Sequence, residues 1–546
     1  ETPLQGDRDP VVRWTRSLQT ESLWHNWNIN WSAMKKLSRL TKVSLLLAVL
    51  FGIDKILGVA RQMIISRQFG LSAELDVFNA SNNLPDMLFM LISGGALAIA
   101  FIPILSEVLT QKGRDKAWVL FSNILNIAFI ITAIAAVVVA ILARPLITNE
   151  LGIAPGFTEA QTDATVRLLR LNLISTLIFS LSGLVMAGLQ SNQHFFLPAL
   201  APILYDLGQI FGALILAPTE GYRIGGITLP AFGLGVDGLV YGVILGAALH
   251  LLIQVPGLIK YHFKWSPKID IHDPETRKVF RLMAPRLLSM FCIQMIFLAQ
   301  DNFASRLEVG SVTALTYGWW IMQVPQTLLG TSIATAILPT LSELFSSKQF
   351  DELKIKIERA SQVMLALTIP VAIIAGVVLF PVVSVFLGLD AADTARVVDV
   401  SRIFLIGIVG HSMVELFVRS FYATQQAKYP LIGAVSTLVL FIILGLVLSP
   451  ALQASGIAAA NTLAYSIQAI LLLAVLNPKL PSKMKLMPSF SRAMIAALIG
   501  GGVAFAVLTW APRFAGTLIG AVLGAGLGII IAGIIIRKEL MELRQL

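Results

Sequence analysis

The segment from residue 96 to residue 109 reads ALAIAFIPILSEVL, and the chain repeats it at residues 332–345 as SIATAILPTLSELF. An alanine, a proline, a Ser-Glu pair and the spacing of the apolar residues recur in register. Weaker echoes pair Gln193 and Pro198 with Gln425 and Pro430, and Gly238-Leu239 with Gly456-Ile457. The repeat predicts that the chain is built from two related halves.

The composition is that of a membrane protein. Hydrophobic residues make up 56% of the 546 residues, charged residues only 13%, and the mean hydropathy is +0.79. A soluble domain has about 25% charged residues, so this chain has too few polar residues to cover a surface that faces water. The net charge is +10, but the basic residues lie between the apolar runs. We therefore expect a lipid environment and no nucleic-acid partner.

A spanning helix needs about 20 apolar residues, and runs of this kind recur along the whole chain. We predict an all-α polytopic fold with about fourteen transmembrane helices. The candidate spans are 42–68, 75–109, 117–142, 163–189, 197–217, 235–259, 278–304, 311–343, 358–387, 396–423, 430–449, 455–476, 490–511 and 515–536.

Two of these runs, the second and the eighth, are too long for one straight helix. The second contains Pro85 and Gly94-Gly95, and the eighth contains Pro325 and Gly330. Bent helices are expected in both places. A helix break at Gly94 and Gly95 would free backbone groups to line a cavity, and close packing against another helix is the competing explanation.

The links between spans predict the orientation in the membrane. Most links after even-numbered spans are basic, such as QKGRDK and KYHFKWSPK, whereas those on the other side, such as LGLDAADTA, lean acidic. By the positive-inside rule, both termini are cytoplasmic, and residues 1–41 form a cytoplasmic tail. The predicted location is the plasma membrane.

The repeat and the spans together predict the domain organisation. Residues 42–259 form an N-lobe of six helices and residues 278–476 a C-lobe of six, joined by a cytoplasmic linker at 260–277. Residues 477–546 add a C-terminal helix pair and a cytoplasmic C-terminus. An even number of spans per lobe gives both lobes the same orientation, as in transporters that bind substrate between two halves.

Ionisable residues inside apolar runs are costly and are usually functional. In the first span, Asp54 and Arg61 share a helix face and Lys55 points about a quarter-turn away. An Asp54–Arg61 ion pair would leave Lys55 as the candidate for an anionic ligand. Asp76 opens the second span, where it is either a helix cap or a site residue. Trp319 and Trp320, in the eighth span, either line the cavity or pack against lipid.

Several other classes of site have no sequence support. There is one cysteine, Cys292, no P-loop and no HExxH, GxSxG or zinc-type Cys/His cluster. These observations predict no catalytic residue, no metal site and no cofactor. The remaining ionisable residues inside apolar runs are Asp206, Arg286, Asp301, His411 and the Glu415–Arg419 pair.

The segment from Asp54 to Leu109, DKILGVARQMIISRQFGLSAELDVFNASNNLPDMLFMLISGGALAIAFIPILSEVL, closely resembles the MurJ family of lipid II flippases. That family belongs to the multidrug/oligosaccharidyl-lipid/polysaccharide exporter superfamily. The resemblance extends through LIKYHF and VPQTLLGTSIATAILPTLSE to two extra C-terminal helices, over roughly residues 42–540.

The resemblance implies a fold of two six-helix lobes with a cationic cavity between them. It also implies transport of lipid II, an undecaprenyl-diphosphate-linked glycan, across the bacterial inner membrane without ATP, among membrane lipids and other cell-wall synthesis proteins. Lys55 stands where the family has an arginine, and Arg61 and Asp76 match family residues directly. Family arginines on the second helix fall at Phe89 and Met90, a family glutamate falls at Gly94, and an Asp-Arg pair on the eighth helix falls at Trp319 and Trp320.

Two alternative functions remain open. The aromatic residues in place of charged ones are compatible with a flippase for another polyprenyl-diphosphate-linked glycan, because sugars and peptides stack on Trp rings. A cation-coupled multidrug exporter is the third possibility and rests on the same, less cationic cavity.

Overall fold

The structure, a computed structural model, describes residues 39–94, 96–510 and 516–543. The chain forms two compact units, Glu1–Gly52 and Ile53–Leu546. Most of the predicted tail at 1–41 lies outside the described residues. The predicted C-lobe and residues 53–259 of the predicted N-lobe belong to the second unit, and the lobe boundaries stay a prediction.

The described residues are almost entirely helical. A single hairpin, between α7 and α8, supplies the strands seen in the described ranges, β1 (Arg223–Ile224) and β2 (Ile227–Thr228), paired antiparallel. The helices are α1 (Arg39–Phe69), α2 (Ala73–Phe89), α3 (Ala96–Gln111), α4 (Arg114–Ile141), α5 (Ala143–Thr148), α6 (Glu159–Ser191), α7 (Phe196–Phe211), α8 (Gly235–Leu252), α9 (Val255–Lys260), α10 (Pro274–Ala304), α11 (Ser311–Gln326), α12 (Ser332–Ser346), α13 (Phe350–Leu387), α14 (Ala391–Ala423), α15 (Lys428–Leu476), α16 (Met487–Trp510), α17 (Thr517–Ile535) and α18 (Arg537–Leu543).

By length and composition, 11 helices of the described chain could cross a membrane. The predicted all-helical membrane fold is therefore confirmed, and the count of fourteen stays a prediction. The helices of the first two predicted spans are not among the 11. The predicted spans 430–449 and 455–476 lie in the two helical parts of α15, which the non-helical backbone of Gln453 (φ 53°, ψ −138°) separates.

The two repeated segments adopt matching structures. Each begins after a π-helical turn, at Met90–Gly94 before α3 and at Thr327–Thr331 before α12. The weaker echo is also matched, since Gln193 (φ 59°) and Gln425 (φ 57°) both adopt the left-handed conformation that ends a helix. Similar sequences thus bend the backbone at equivalent places in the two halves.

The two ends of the helix bundle differ in how the halves meet. We call the end with the links 111–114, 260–274 and 346–350 the basic end, and the end with the links 142–159, 304–311 and 387–391 the far end. At the far end, one hydrophobic core contains residues of both halves, including Phe78, Leu239, Leu315 and Phe404. Near the basic end there are two cores, one within the second half and one within the first half that also contains Val279 and Met283 of α10. In the described residues, the halves therefore share their largest core at the far end, and near the basic end only α10 links their cores.

Polar contacts also join the halves at the far end. The Asn302 amide donates to the carbonyl oxygens of Glu150 and Gly152 at 3.0 and 2.6 Å. The Arg306 guanidinium pairs with the Glu150 carboxylate at 2.7 Å. Near the basic end, the ion pairs Lys112–Glu275 and Lys278–Glu107 attach α10 to α3.

The C-terminal helix pair packs through small residues. The Gly528 carbonyl oxygen lies 2.7 Å from the position that a Cβ on Gly500 would occupy, so the two backbones are nearly in contact. Ala504 and Ala521 are buried in a small core that α16 and α17 share with α13. Small residues at helix crossings are typical of membrane helix packing, because they let backbones approach closely.

Candidate functional site

The predicted ligand-binding lysine lies on an exposed face of α1. The Lys55 side chain is 79% exposed, and its ammonium lies 3.3 Å from the Asp54 carboxylate. An exposed ion pair of this kind contributes little stability. The Lys55 ammonium therefore keeps most of its hydrogen-bonding capacity for another anion.

The predicted Asp54–Arg61 ion pair is wrong. The Arg61 guanidinium instead donates to Asp206 on α7 at 2.8 Å. Asp206 reaches α1 because Gly58 has no side chain there: the Asp206 Oδ2 lies 3.6 Å from the position of a Cβ on Gly58. The Asp206 carboxylate is buried, so Arg61 neutralises a charge that would otherwise be costly.

Asp76 lies at the junction of α2 and α11. It is only 3% exposed. Its Oδ2 accepts from the Gly310 N–H at 2.6 Å, and its Oδ1 accepts from the N–H and the hydroxyl of Thr313 at 2.8 and 2.7 Å. Ser72 caps α2 itself. The carboxylate of Asp76 thus caps the neighbouring helix α11, where it also faces the positive end of the helix dipole.

A layer of polar side chains continues from Asp76 along α2. The Asn79 amide donates to the Thr313 hydroxyl at 3.1 Å, and Asn82 accepts from the Asn172 amide of α6 at 2.7 Å. Asn83 donates to the buried carboxylate of Asp301 on α10. Buried polar groups must be hydrogen-bonded, so this layer fixes α2 against three helices from both halves.

The two predicted tryptophans have different surroundings. The Trp319 ring packs edge-on against Phe297, Phe404 and His411, with ring centroids 5.1, 5.8 and 5.3 Å away. His411 also stacks on Tyr465 and bonds to Asn461 at 3.0 Å. Trp319 is therefore half-buried in an aromatic cluster of α10, α11 and α14. Trp320 is also half-buried.

The predicted helix break falls in the π-helical turn Met90–Gly94. Gly94 is the last residue of this turn, and Gly95 lies outside the described residues. A π-helical turn widens the helix by one residue and often marks a functional site. Two side chains near the turn are exposed: Asp86, four residues before it, and Met90, its first residue.

The sequence does not show which of these residues pair with each other. It marks Asp206 and Asp301 as ionisable residues in apolar runs, but it does not identify them as the partners of Arg61 and Asn83. These partners are 145 and 218 residues apart in the chain. The one local indication of such a partner in α1 is Gly58, a small residue one turn from Asp54. The Asp206 side chain lies beside it.

A bundle of long apolar helices in two halves, with a polar layer between them and exposed charge on α1, defines a multi-pass membrane transporter. The family model described as lipid II flippase MurJ matches residues 65–541, and the chain belongs to the MurJ family.

Similar proteins agree with this membership. The chain is 27% identical over 414 residues to the lipid II flippase MurJ of Burkholderia cenocepacia, covering 74% of this chain and 77% of that protein. It is 25% identical over 464 residues to the probable lipid II flippase MurJ of Rhizobium meliloti, covering 84% of each.

Solved structures show the same fold. A lipid II flippase MurJ in an inward closed conformation aligns with a TM-score of 0.73 at 21% identity, covering 90% of this chain and 99% of that one. An inward-facing multidrug resistance MATE family transporter of the MOP superfamily aligns with a TM-score of 0.61 at 14% identity, covering 81% and 95%.

Proposed function

We propose that this protein moves lipid II from the cytoplasmic to the outer leaflet of the bacterial inner membrane by alternating access. Membership of the MurJ family supports this cargo. The observation that carries the proposal is the exposed Lys55 ammonium on α1, whose one ion pair in the described residues is with the neighbouring Asp54. Lys55 would hold the diphosphate of the lipid by charge-assisted hydrogen bonds.

The transport step follows from the unequal ends of the bundle. In the described residues, the halves share a core at the far end, and near the basic end the second half contributes only the start of α10 to the core of the first half. With the basic end and both termini in the cytoplasm, Lys55 would receive the head group from the inner leaflet. Rocking of the halves would then close the basic end and part the far end, while the polyprenyl tail stays in lipid.

Complementation of a bacterium depleted of its own MurJ tests the proposal. We expect the wild-type chain and Lys55→Arg to restore growth and Lys55→Ala to fail at equal expression. Lys116→Ala, which removes an exposed lysine near the basic end, is the matched control. Full complementation by Lys55→Ala would remove the diphosphate role from Lys55. Failure of a well-expressed wild-type chain would remove lipid II as the cargo.

A second candidate is a flippase for another polyprenyl-diphosphate-linked glycan. The observation in its favour is that apolar residues, Phe89 and Met90, stand at two positions where the family has arginines. Phe89 packs against Phe179 with ring centroids 5.2 Å apart, and Met90 is exposed. Native mass spectrometry of the purified protein separates the two candidates, because the mass of the co-purified lipid identifies its head group.

A further inference from the structure

A charged cavity lies at the far end of the first half. Its volume is about 680 Å³, and it opens between α6 and α8 beside the start of α5. Three arginines and two aspartates line it, together with the Tyr241 ring. The charged residues are Arg144, Asp163, Arg167, Arg170 and Asp237.

Two of the arginines are already paired with the two aspartates. Arg167 makes a bidentate contact with Asp237, at 3.0 and 2.8 Å. Arg144 donates to Asp163, and also to Glu159 at 2.8 Å. Bidentate and doubly bonded guanidiniums are held in fixed positions. These contacts engage Arg144 and Arg167 with three carboxylates and leave the third arginine without a carboxylate partner in the described residues.

Arg170 is that third arginine. Its Nε donates to the carbonyl oxygen of Ala140 at 3.0 Å, which orients the guanidinium, and the side chain is exposed. Among the described residues, no carboxylate forms an ion pair with Arg170. Arg170 therefore presents a guanidinium that has no carboxylate partner in the described residues and four N–H groups still to be satisfied.

Exposed apolar side chains continue from the cavity along α6 and α8, toward the middle of each helix. Ile174 follows Arg170 by four residues on α6 and is 45% exposed. On α8, Tyr241 and Leu245 follow Asp237 at the same spacing and are also exposed. Residues four apart share a helix face, so each helix presents a charged group and then an apolar strip.

The depth of the cavity matches the edge of the bilayer. Helix α6 has 33 residues, which corresponds to roughly 50 Å against a hydrocarbon core of about 30 Å. About 10 Å therefore protrudes at each end. Arg167 lies near the boundary, and the long side chain of Arg170, one turn deeper, can reach the headgroup layer.

We propose that this cavity binds the headgroup of an anionic phospholipid, phosphatidylglycerol, with its phosphodiester on Arg170 and its acyl chains along Ile174 and Leu245. One phosphodiester matches the one guanidinium without a carboxylate partner, and its glycerol adds no further charge. A phosphoethanolamine headgroup would add a second cation beside Arg170. A diphosphate would bring more negative charge beside Asp163 and Asp237.

Native mass spectrometry of the full-length protein in detergent, titrated with lipid, tests this site. We expect phosphatidylglycerol to bind more tightly than phosphatidylethanolamine. Arg170→Gln should weaken phosphatidylglycerol binding by about tenfold, the effect of losing one hydrogen-bonded charge. Arg170→Lys keeps the charge and should retain most of the binding. Arg223→Gln removes an exposed arginine of the hairpin at the same end and should leave binding unchanged.

Free glycerophosphoglycerol separates the lipid from its soluble headgroup. We expect it to bind at least tenfold more weakly than the lipid, because it has no acyl chains to lie along Ile174 and Leu245. The proposal is overturned if Arg170→Gln binds like the wild type in its folded form, checked by its melting temperature. Equal binding of phosphatidylethanolamine, or preferential binding of an undecaprenyl diphosphate at this site, would overturn it as well.

Discussion

Asp76 accepts two hydrogen bonds from Thr313, one from its backbone N–H at 2.8 Å and one from its hydroxyl at 2.7 Å. Asp76 belongs to the first half of the chain and Thr313 to the second. A third bond, from the Gly310 N–H, uses the other carboxylate oxygen. The start of α11 thus depends on a side chain that lies 237 residues earlier in the sequence.

Replacing the cap should destabilise the protein. Asp76→Ala leaves buried N–H groups at Gly310 and Thr313 without acceptors, and we expect a loss of about 3 kcal/mol. Thr313→Val keeps the backbone bond to Asp76 and removes both hydroxyl bonds, to Asp76 and from Asn79, so it should cost about 1–2 kcal/mol. Thermal unfolding in detergent measures both. Equal stability of Asp76→Ala and the wild type would refute the capping role.

The Arg61–Asp206 pair should behave as a unit. Removing either charge leaves the other buried and uncompensated, at a cost of about 3 kcal/mol. Arg61→Leu and Asp206→Leu should each lower the melting temperature, and the double variant should recover part of the loss. Additive effects of the two substitutions would show that the pair does not interact.

Gly330 should not tolerate a side chain. A Cβ there would lie 2.4 Å from the Ser412 Oγ of α14, and overpacking of this kind costs about 1–3 kcal/mol. Gly502→Ala is the matched control, because open space surrounds the Cβ position at Gly502. We expect Gly330→Ala to melt at a lower temperature than Gly502→Ala. Equal melting temperatures would mean that α14 shifts freely.

The Lys112–Glu275 ion pair should make stability depend on pH. The hydrogen bond from the Lys112 ammonium holds the pKa of Glu275 below its usual 4.5. A lowered pKa stabilises the fold fully above that usual value, and the contribution is lost as the pH falls through the lowered pKa. Melting temperatures between pH 7 and pH 3 should therefore fall less steeply for Glu275→Gln than for Glu220→Gln, the control. Identical slopes would contradict the ion pair.

The sequence was most informative where the physical cause is local. Apolar runs predict helices in lipid, and the repeated ALAIAFIPILSEVL segment predicts two related bends, which appear as π-helical turns at Met90–Gly94 and Thr327–Thr331. Partner choice is not local. Asp54 and Arg61 share a helix face, yet Arg61 pairs with Asp206, a buried carboxylate that α7 brings within 2.8 Å of the guanidinium. No periodicity within α1 contains that information.

The shared core at the far end has a consequence for the speed of transport. If the halves part there, Phe78 and Leu315 lose apolar contacts and the Asp76–Thr313 bonds stretch or break at the same moment. These losses fall on the path between the two states, so they raise a barrier that every cycle must cross. Substitutions in this shared core should therefore alter the turnover rate of the protein more than its affinity for cargo, whatever glycan the lipid carries.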